Sequence, residues 1–308
     1  MAQYTAGELK NFYYIPEVTY GTTPTDALTY GGSTIDVKPR FSPEQTWIVQ
    51  PGSRGFGAVA RGVIKTGFSL QYHARVASGA YDWTDLAAVY AFGAAGGLAD
   101  HLGSFTAQTG VTQAGTTHYH FWNGCKINAL TISAEGSGMP LVFDADIWAR
   151  YPKYSTSKTI TGLQGVTVGA DPTDITTAVC SWNQTSQINL GGGGLVDWHP
   201  QRWSLAVDNH LDLVEGNITG ADTLNYAIPY AMSEGERDII FEATLASENE
   251  TYSNAKIAGT AVTSLTVDID DETITLANGE FEVGELGPRK QGLMEETVKI
   301  RFKSLTIA

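Results

Sequence analysis

Residues 121–150 read FWNGCKINALTISAEGSGMPLVFDADIWAR. The second half of this stretch alternates: Leu141, Phe143, Ala145, Ile147 and Ala149 are apolar or small, and Val142, Asp144, Asp146, Trp148 and Arg150 fall between them. A period of two marks a strand with one buried face. Ala134-Glu135-Gly136-Ser137-Gly138 supplies the glycines of a sharp reversal. The stretch therefore predicts an antiparallel hairpin.

Upstream, Gly62–Val76 is the clearest strand, with Phe68, Leu70, Tyr72, Ala74 and Val76 facing one way. A helix is expected over Asp82–Phe92, with Asp82 as N-cap and Gly93 as its stop. Ala94–Thr117 is Gly- and Ala-rich and carries no assignable pattern. Met1–Gly32 is read as an arm with one short strand at Tyr13–Val18. Ser33–Val37 is a short strand that stops at Pro39. Arg40–Arg61 is read as a long irregular loop, too apolar for a solvated linker because it holds Phe41, Trp47, Ile48, Val49 and Phe56. Such a loop should meet a partner surface.

Downstream, Tyr151–Gly194 is rich in Thr, Ser and Gly and reads as a connection. Trp203, Leu205 and Val207 then alternate with polar or small residues, as do Ile239, Phe241, Ala243 and Leu245. A second helix is expected at Asn249–Ala258. Thr263–Asp270, Glu272–Ala277, Glu280–Val283 and Glu296–Ile307 read as strands. Asn278-Gly279 is the strongest short hairpin signal in the chain.

The two halves share an order. Thr34–Val37, a long loop, Val63–Val76, a helix and Gly124–Arg150 are echoed by Ser204–Val207, a long loop, Arg237–Leu245, a helix and Thr263–Ile307. Ala129-Leu130-Thr131-Ile132 is similar in type and place to Ser264-Leu265-Thr266-Val267. These observations suggest an internal duplication. The division expected is an arm at 1–32, a first domain at 33–160, a linker at 161–201 and a second domain at 202–308. At roughly 150 residues per domain, 308 residues suit that division.

The formal net charge of −14 argues against a groove that grips nucleic acid through counterion release. It is compatible with a surface past which DNA slides. Two cysteines are too few for a disulfide framework, so Cys125 and Cys180 read as buried thiols. No apolar run approaches the ~20 residues of a membrane helix, and the N-terminus lacks a signal-peptide pattern. Synthesis in the cytoplasm, without membrane insertion, is expected.

Three phrases, PEVTYGTTPTDA at 16–27, the WNGC hairpin from Trp122, and WSLAVDNHLD at 203–212, resemble the tail tube proteins of long-tailed, siphovirus-like phages and archaeal tailed viruses. The resemblance implies a mostly β fold: two tandem β-sandwich or barrel domains, each flanked by one helix. It implies a structural virion protein whose copies form stacked rings, the conduit for genome ejection. If each chain holds two such domains, a ring is a homotrimer with pseudo-six-fold symmetry. The implied partners are other copies of the chain, tape measure, tail terminator and baseplate proteins, and genomic DNA passing without specific binding. Trp47, Ile48, Val49 and Phe56 become candidates for the inter-ring contact. Asp144, Asp146, Asp268 and Asp270 become candidates for the lumen wall.

No catalytic, metal or cofactor site is predicted. His118-x-His120 lacks the third ligand that zinc needs. Gly191–Gly194 lacks the Lys-Ser/Thr of a phosphate loop, and the carboxylates near Asp268 lack calcium-loop spacing. Two other readings compete. A β-sandwich carbohydrate- or surface-binding module would stack sugars on Trp47, Trp122 and Trp198. A hydrolase would have only Asp144 and Asp146, which flank no evident cleft.

Overall fold

The computed structural model describes residues 8–24, 28–49, 56–74, 91, 102–136, 139–156, 182–214, 228–246, 251–269, 272–282 and 295–307. Sixteen strands run in chain order: β1 (Glu8–Glu17), β2 (Thr29–Val49), β3 (Phe56–Ala74), β4 (Ser104–Gln113), β5 (Thr116–Ala134), β6 (Val142–Ala149), β7 (Tyr151–Ser155), β8 (Trp182–Leu190), β9 (Val196–Asp197), β10 (Pro200–Asp208), β11 (Asp212–Val214), β12 (Ala231–Ser233), β13 (Asp238–Ala246), β14 (Val262–Ile269), β15 (Glu272–Phe281) and β16 (Glu295–Ile307). Among the described residues one helix, α1 (Thr251–Ile257), lies between β13 and β14. The helix expected at Asp82–Phe92 falls outside the described residues apart from Ala91.

The opening hairpin is β5–β6, with Leu130 opposite Ala145 and Ile132 opposite Phe143. The alternation works as anticipated. Phe143, Ala145, Ile147 and Ala149 are fully buried, whereas Asp144 is exposed and Asp146 half-buried. All pairings are antiparallel, and fourteen strands join in one sheet.

Strand order carries the main result. In the first half neighbours run β2-β3-β6-β5-β4-β1, and β1 pairs back onto β2, so the six strands close on themselves. In the second half they run β10-β13-β16-β15-β14-β8. The same order of hairpins recurs, with α1 after β13. The halves meet where β10 pairs with β5, from Trp203 opposite Ala134 to Asp208 opposite Ala129. The result is a continuous eight-strand band, β2-β3-β6-β5-β10-β13-β16-β15. Its inner face packs into one core that runs through both halves. Phe68 stacks on Trp122 at 4.2 Å, and Trp203 stacks on Phe241 at 5.7 Å.

Several expectations change. Residues 40–61 are not an irregular loop: β2 and β3 stay paired out to Trp47 opposite Val59 and Val49 opposite Phe56. β6 covers β3 only over Thr66–Tyr72, and β1 covers β2 only over Thr29–Gly32. Beyond the buried Val63 and Ile64, the hairpin is, among the described residues, a two-stranded ribbon of roughly 20 Å, at ~3.3 Å per residue. Residues 182–201, assigned to the linker, are largely strand, because β8 pairs with β14. Asn278-Gly279 does not turn the chain. Asn278 takes φ +57 inside β15, and the register to β14 and β16 is the same on either side of it. A two-residue hairpin of type I′ needs positive φ at both residues, and only one has it here.

The equivalence of Ala129–Ile132 with Ser264–Val267 also fails on strand order. The first segment lies in β5, whose counterpart is β15; the second lies in β14. A closer parallel is Asn123-Gly124 in β5 and Asn278-Gly279 in β15. Each glycine admits the strand beside it: a Cβ on Gly124 would lie 2.6 Å from the Arg150 Cβ, and one on Gly279 would lie 2.5 Å from the Phe302 ring.

Candidate functional surfaces

Three features stand out: a latch, an open sheet face and the projecting ribbon. The latch joins two of the quoted phrases. At the end of β1 the Glu17 carboxylate accepts hydrogen bonds from the Gly21 and Gly124 amides at 2.8 and 2.9 Å. It also accepts from the Ser104 and Thr106 hydroxyls at 3.0 and 2.7 Å. Asn123 Nδ2 donates to the Gly21 carbonyl at 2.9 Å, and the Arg150 guanidinium lies over the Tyr20 ring. Burial pushes the Tyr20 phenol well above its ordinary range, against the pull of Arg150. Gly21 and Gly124 both have positive φ, and a Cβ on Gly21 would meet the Arg150 side chain at 2.4 Å. PEVTYG and WNGC are thus two halves of one structural clasp. Each orphaned buried donor costs ~1–3 kcal/mol. Glu17→Ala is therefore expected to lower subunit stability by about 3 kcal/mol, read from the urea midpoint at unchanged m-value.

The third phrase fastens the halves to each other. Asn209 is buried after β10. Its Nδ2 donates to the carbonyls of Ala91 and Ile127 at 3.0 Å each, and its Oδ1 accepts from Arg237 Nε at 2.8 Å. Lys126 of β5 pairs with Glu234 at 2.6 Å, both side chains being largely buried. Glu234 also accepts from the Leu102 amide. The segment holding β11 and β12 is held against the first half in this way, with Leu211 and Met232 packed on Leu102.

The band's other face points away from the core and is polar. From the first half it presents Asp36, Lys38, Arg40, Ser69, Gln71, Thr131, Asp144 and Asp146. Asp146 pairs with Arg40 and accepts from Asn128 Nδ2 at 3.0 Å and Trp148 Nε1 at 3.2 Å. Lys38 pairs with Asp36 at 2.7 Å. From the second half it presents Asp208, Asp238, Glu242, Lys299, Arg301, Lys303, Glu280 and Glu282. Lys299 pairs with Glu282 at 2.6 Å, and Arg301 reaches Asp238 at 2.8 Å and Glu282 at 3.1 Å. These cations hold the Glu282 carboxyl below its ordinary range, Lys299 foremost.

The predicted residues are distributed unevenly over these features. Asp144 and Asp146 share the open face of the band. Asp268 does not: it lies on β14, outside the band, and accepts from Thr273 Oγ1 at 2.7 Å. Asp270 lies outside the described residues. The backbones of Trp47, Ile48, Val49 and Phe56 all fall in the ribbon. Sequence reasoning missed the charged residues of β15 and β16. Their signal was present as Lys299-x-Arg301-x-Lys303 and Glu280-x-Glu282, two period-two charge runs of opposite sign, but no sequence rule says which strands are neighbours.

The sugar-stacking reading loses two of its three platforms. Trp122 and Trp198 are almost fully buried; the side chain of Trp47 falls outside the described residues. His118 and His120 stay on β5, where His120 meets Tyr154 edge-on at 4.7 Å, and burial lowers its affinity for a proton. Among the described residues no group of three His, Cys, Asp or Glu could hold a metal ion. Gly191–Gly194 is the tip between β8 and β9. Cys125 is a buried free thiol; Cys180 lies outside the described residues. Among the described residues no helix is long and apolar enough to cross a membrane.

Comparison with known proteins agrees with the three phrases and the β architecture. No curated protein matches the chain. A family model described as "Phage tail tube protein" matches residues 7–302, nearly the whole length. The chain belongs to the phage tail tube protein family.

Proposed function

We propose that this chain is the building block of a virion tail tube, made in the host cytoplasm and carrying no catalytic activity. Copies close into rings, the rings stack, and the bore conducts the genome into the host cell. Tape measure, terminator and baseplate proteins would meet the tube within and at its ends. The two halves act as tandem tube domains, the second carrying α1.

The observation that carries this reading is the repeated strand order with matching loose edges. Inside the chain, β5 of the first unit pairs with β10 of the second. By the repeat, β15 is the counterpart of β5, and β2 is the counterpart of β10. Among the described residues, β15 beyond Gly279 and β2 beyond Gly32 have one edge without a strand partner. The junction within one chain is therefore a template for the junction between chains. The band has an even number of antiparallel strands, so a neighbouring β2 meets β15 antiparallel, and the contact repeats head to tail.

Three chains supply six units and about 24 strands. At ~4.8 Å per strand and a tilt near 40°, such a barrel is about 45–50 Å across between backbones. Its inner wall would be the polar face bearing Asp144 and Asp146, with Asp238, Glu242, Glu280 and Glu282 in place of Asp268. The apolar face is already committed to the core. Symmetry analysis of electron micrographs tests the stoichiometry. Three chains per ring are expected. Six chains per ring would refute the trimer and move the second half outside the bore.

A further inference from the structure

We propose that Asp238, Glu280 and Glu282 form a neutralising ladder that keeps the cationic stripe Lys299-Arg301-Lys303 from gripping a DNA backbone. The inference rests on the reading that the open face lines the bore.

The three cations project from one face of β16, because Val298, Ile300 and Phe302 occupy the other and are buried. Alternate residues on a strand stand ~6.7 Å apart. Phosphates on one DNA strand recur every ~3.4 Å along the helix axis. A bare stripe would present three cations in a row to a passing phosphate backbone. Carboxylates on both neighbouring strands meet it instead. Glu282 serves Lys299 and Arg301, Asp238 serves Arg301 from the β13 side, and Glu280 lies 3.9 Å from Lys303. Glu280 is directly opposite Arg301 in the register.

All these groups are substantially exposed, and exposed pairs add little to stability. What the arrangement supplies is charge cancellation on the wall. The carboxylates are fixed a strand's width away, so a passing phosphate must displace a tethered competitor. The first half has smaller versions in Lys38–Asp36 and Arg40–Asp146. Arg202, at the end of the band, donates to the Thr244 hydroxyl at 3.1 Å.

The test uses the soluble full-length subunit and a short fluorescent DNA duplex, followed by anisotropy against salt. The variant Asp238→Asn/Glu280→Gln/Glu282→Gln is expected to gain binding. Its log–log salt slope should be near −2.7 for three phosphate contacts, on the order of 20-fold tighter at 50 than at 150 mM salt. Adding Lys299→Gln/Arg301→Gln/Lys303→Gln to that variant should abolish the gain. A control with the same change in net charge, Glu135→Gln/Asp197→Asn/Glu236→Gln, should stay at the wild-type level. No gain in the triple variant, or an equal gain in the control, overturns the ladder. Assembled tubes of the triple variant separate this from the parent reading. Bare outer walls in the presence of long DNA support both. DNA decorating the outside would leave the ladder standing and refute its place in the bore.

Discussion

A chain lacking Trp47–Phe56 is expected to remain folded and soluble while forming no tubes. The deletion removes the outer end of the ribbon, where β2 and β3 pair with each other and no third strand is added among the described residues. It leaves Gly57, Ala58 and Val59 to close a shorter hairpin between Thr46 and Ala60, a loop length hairpins accept. None of the described core residues is removed. An isolated two-stranded ribbon is marginal in water, so a ribbon of this length suits a role in which something else covers it. Under the proposed function that partner is another ring of the same chain, with Trp47, Ile48, Val49 and Phe56 as the expected anchors. The measurement is electron microscopy of the deletion protein beside its thermal unfolding curve. Normal tubes from a folded deletion protein would remove the ribbon from the stacking contact.

Trp122→Ala carries the largest expected stability effect. The indole is fully buried, stacks on Phe68 at 4.2 Å and lies 5.8 Å from the His120 ring. Emptying a site of that size costs about 3–5 kcal/mol, transfer and cavity terms together, against a typical total of ~5–15 kcal/mol. Insoluble or partly unfolded protein is expected, with a clear fall in the denaturation midpoint. A Trp122→Ala subunit as stable as wild type would contradict the position of this ring in the core. The same substitution bears on sugar stacking, because a platform tryptophan would have been lost from the surface with little change in stability.

The contrast between the halves explains why they need not behave alike in a ring. The β2–β3 hairpin runs on as a two-stranded ribbon with register shifts at Pro43/Gln45 and Ile48/Val49. Its counterpart between β10 and β13 folds back, forms the small β11–β12 sheet and is fastened by Glu234 to Lys126. Under the trimer reading, projecting and folded-back connections therefore alternate around the ring.

Strands with one buried face are readable in the chain alone. Phe68-Leu70-Tyr72, Phe143-Ala145-Ile147 and Ile239-Phe241-Ala243 are legible because a period of two leaves no other regular structure that buries one side. The β5–β6 reversal is readable through its glycines, and α1 to within two residues of each end. Which strands are neighbours follows from the fold alone, and several expectations depend on it. Pairing made a ribbon of residues 40–61 and drew β8 out of the linker. Partners on both edges of β15 held Asn278-Gly279 in line, although the dipeptide alone favours a turn. Neighbourhood also decided which charges meet: Asp144 and Asp146 were visible as one face of one strand, but Glu282 beside Lys299 and Arg301 depends on β15 lying next to β16. The physical reason is that alternation is a local property of a chain, whereas strand pairing depends on contacts between residues far apart in sequence, whose closure entropy and shared burial no short window records.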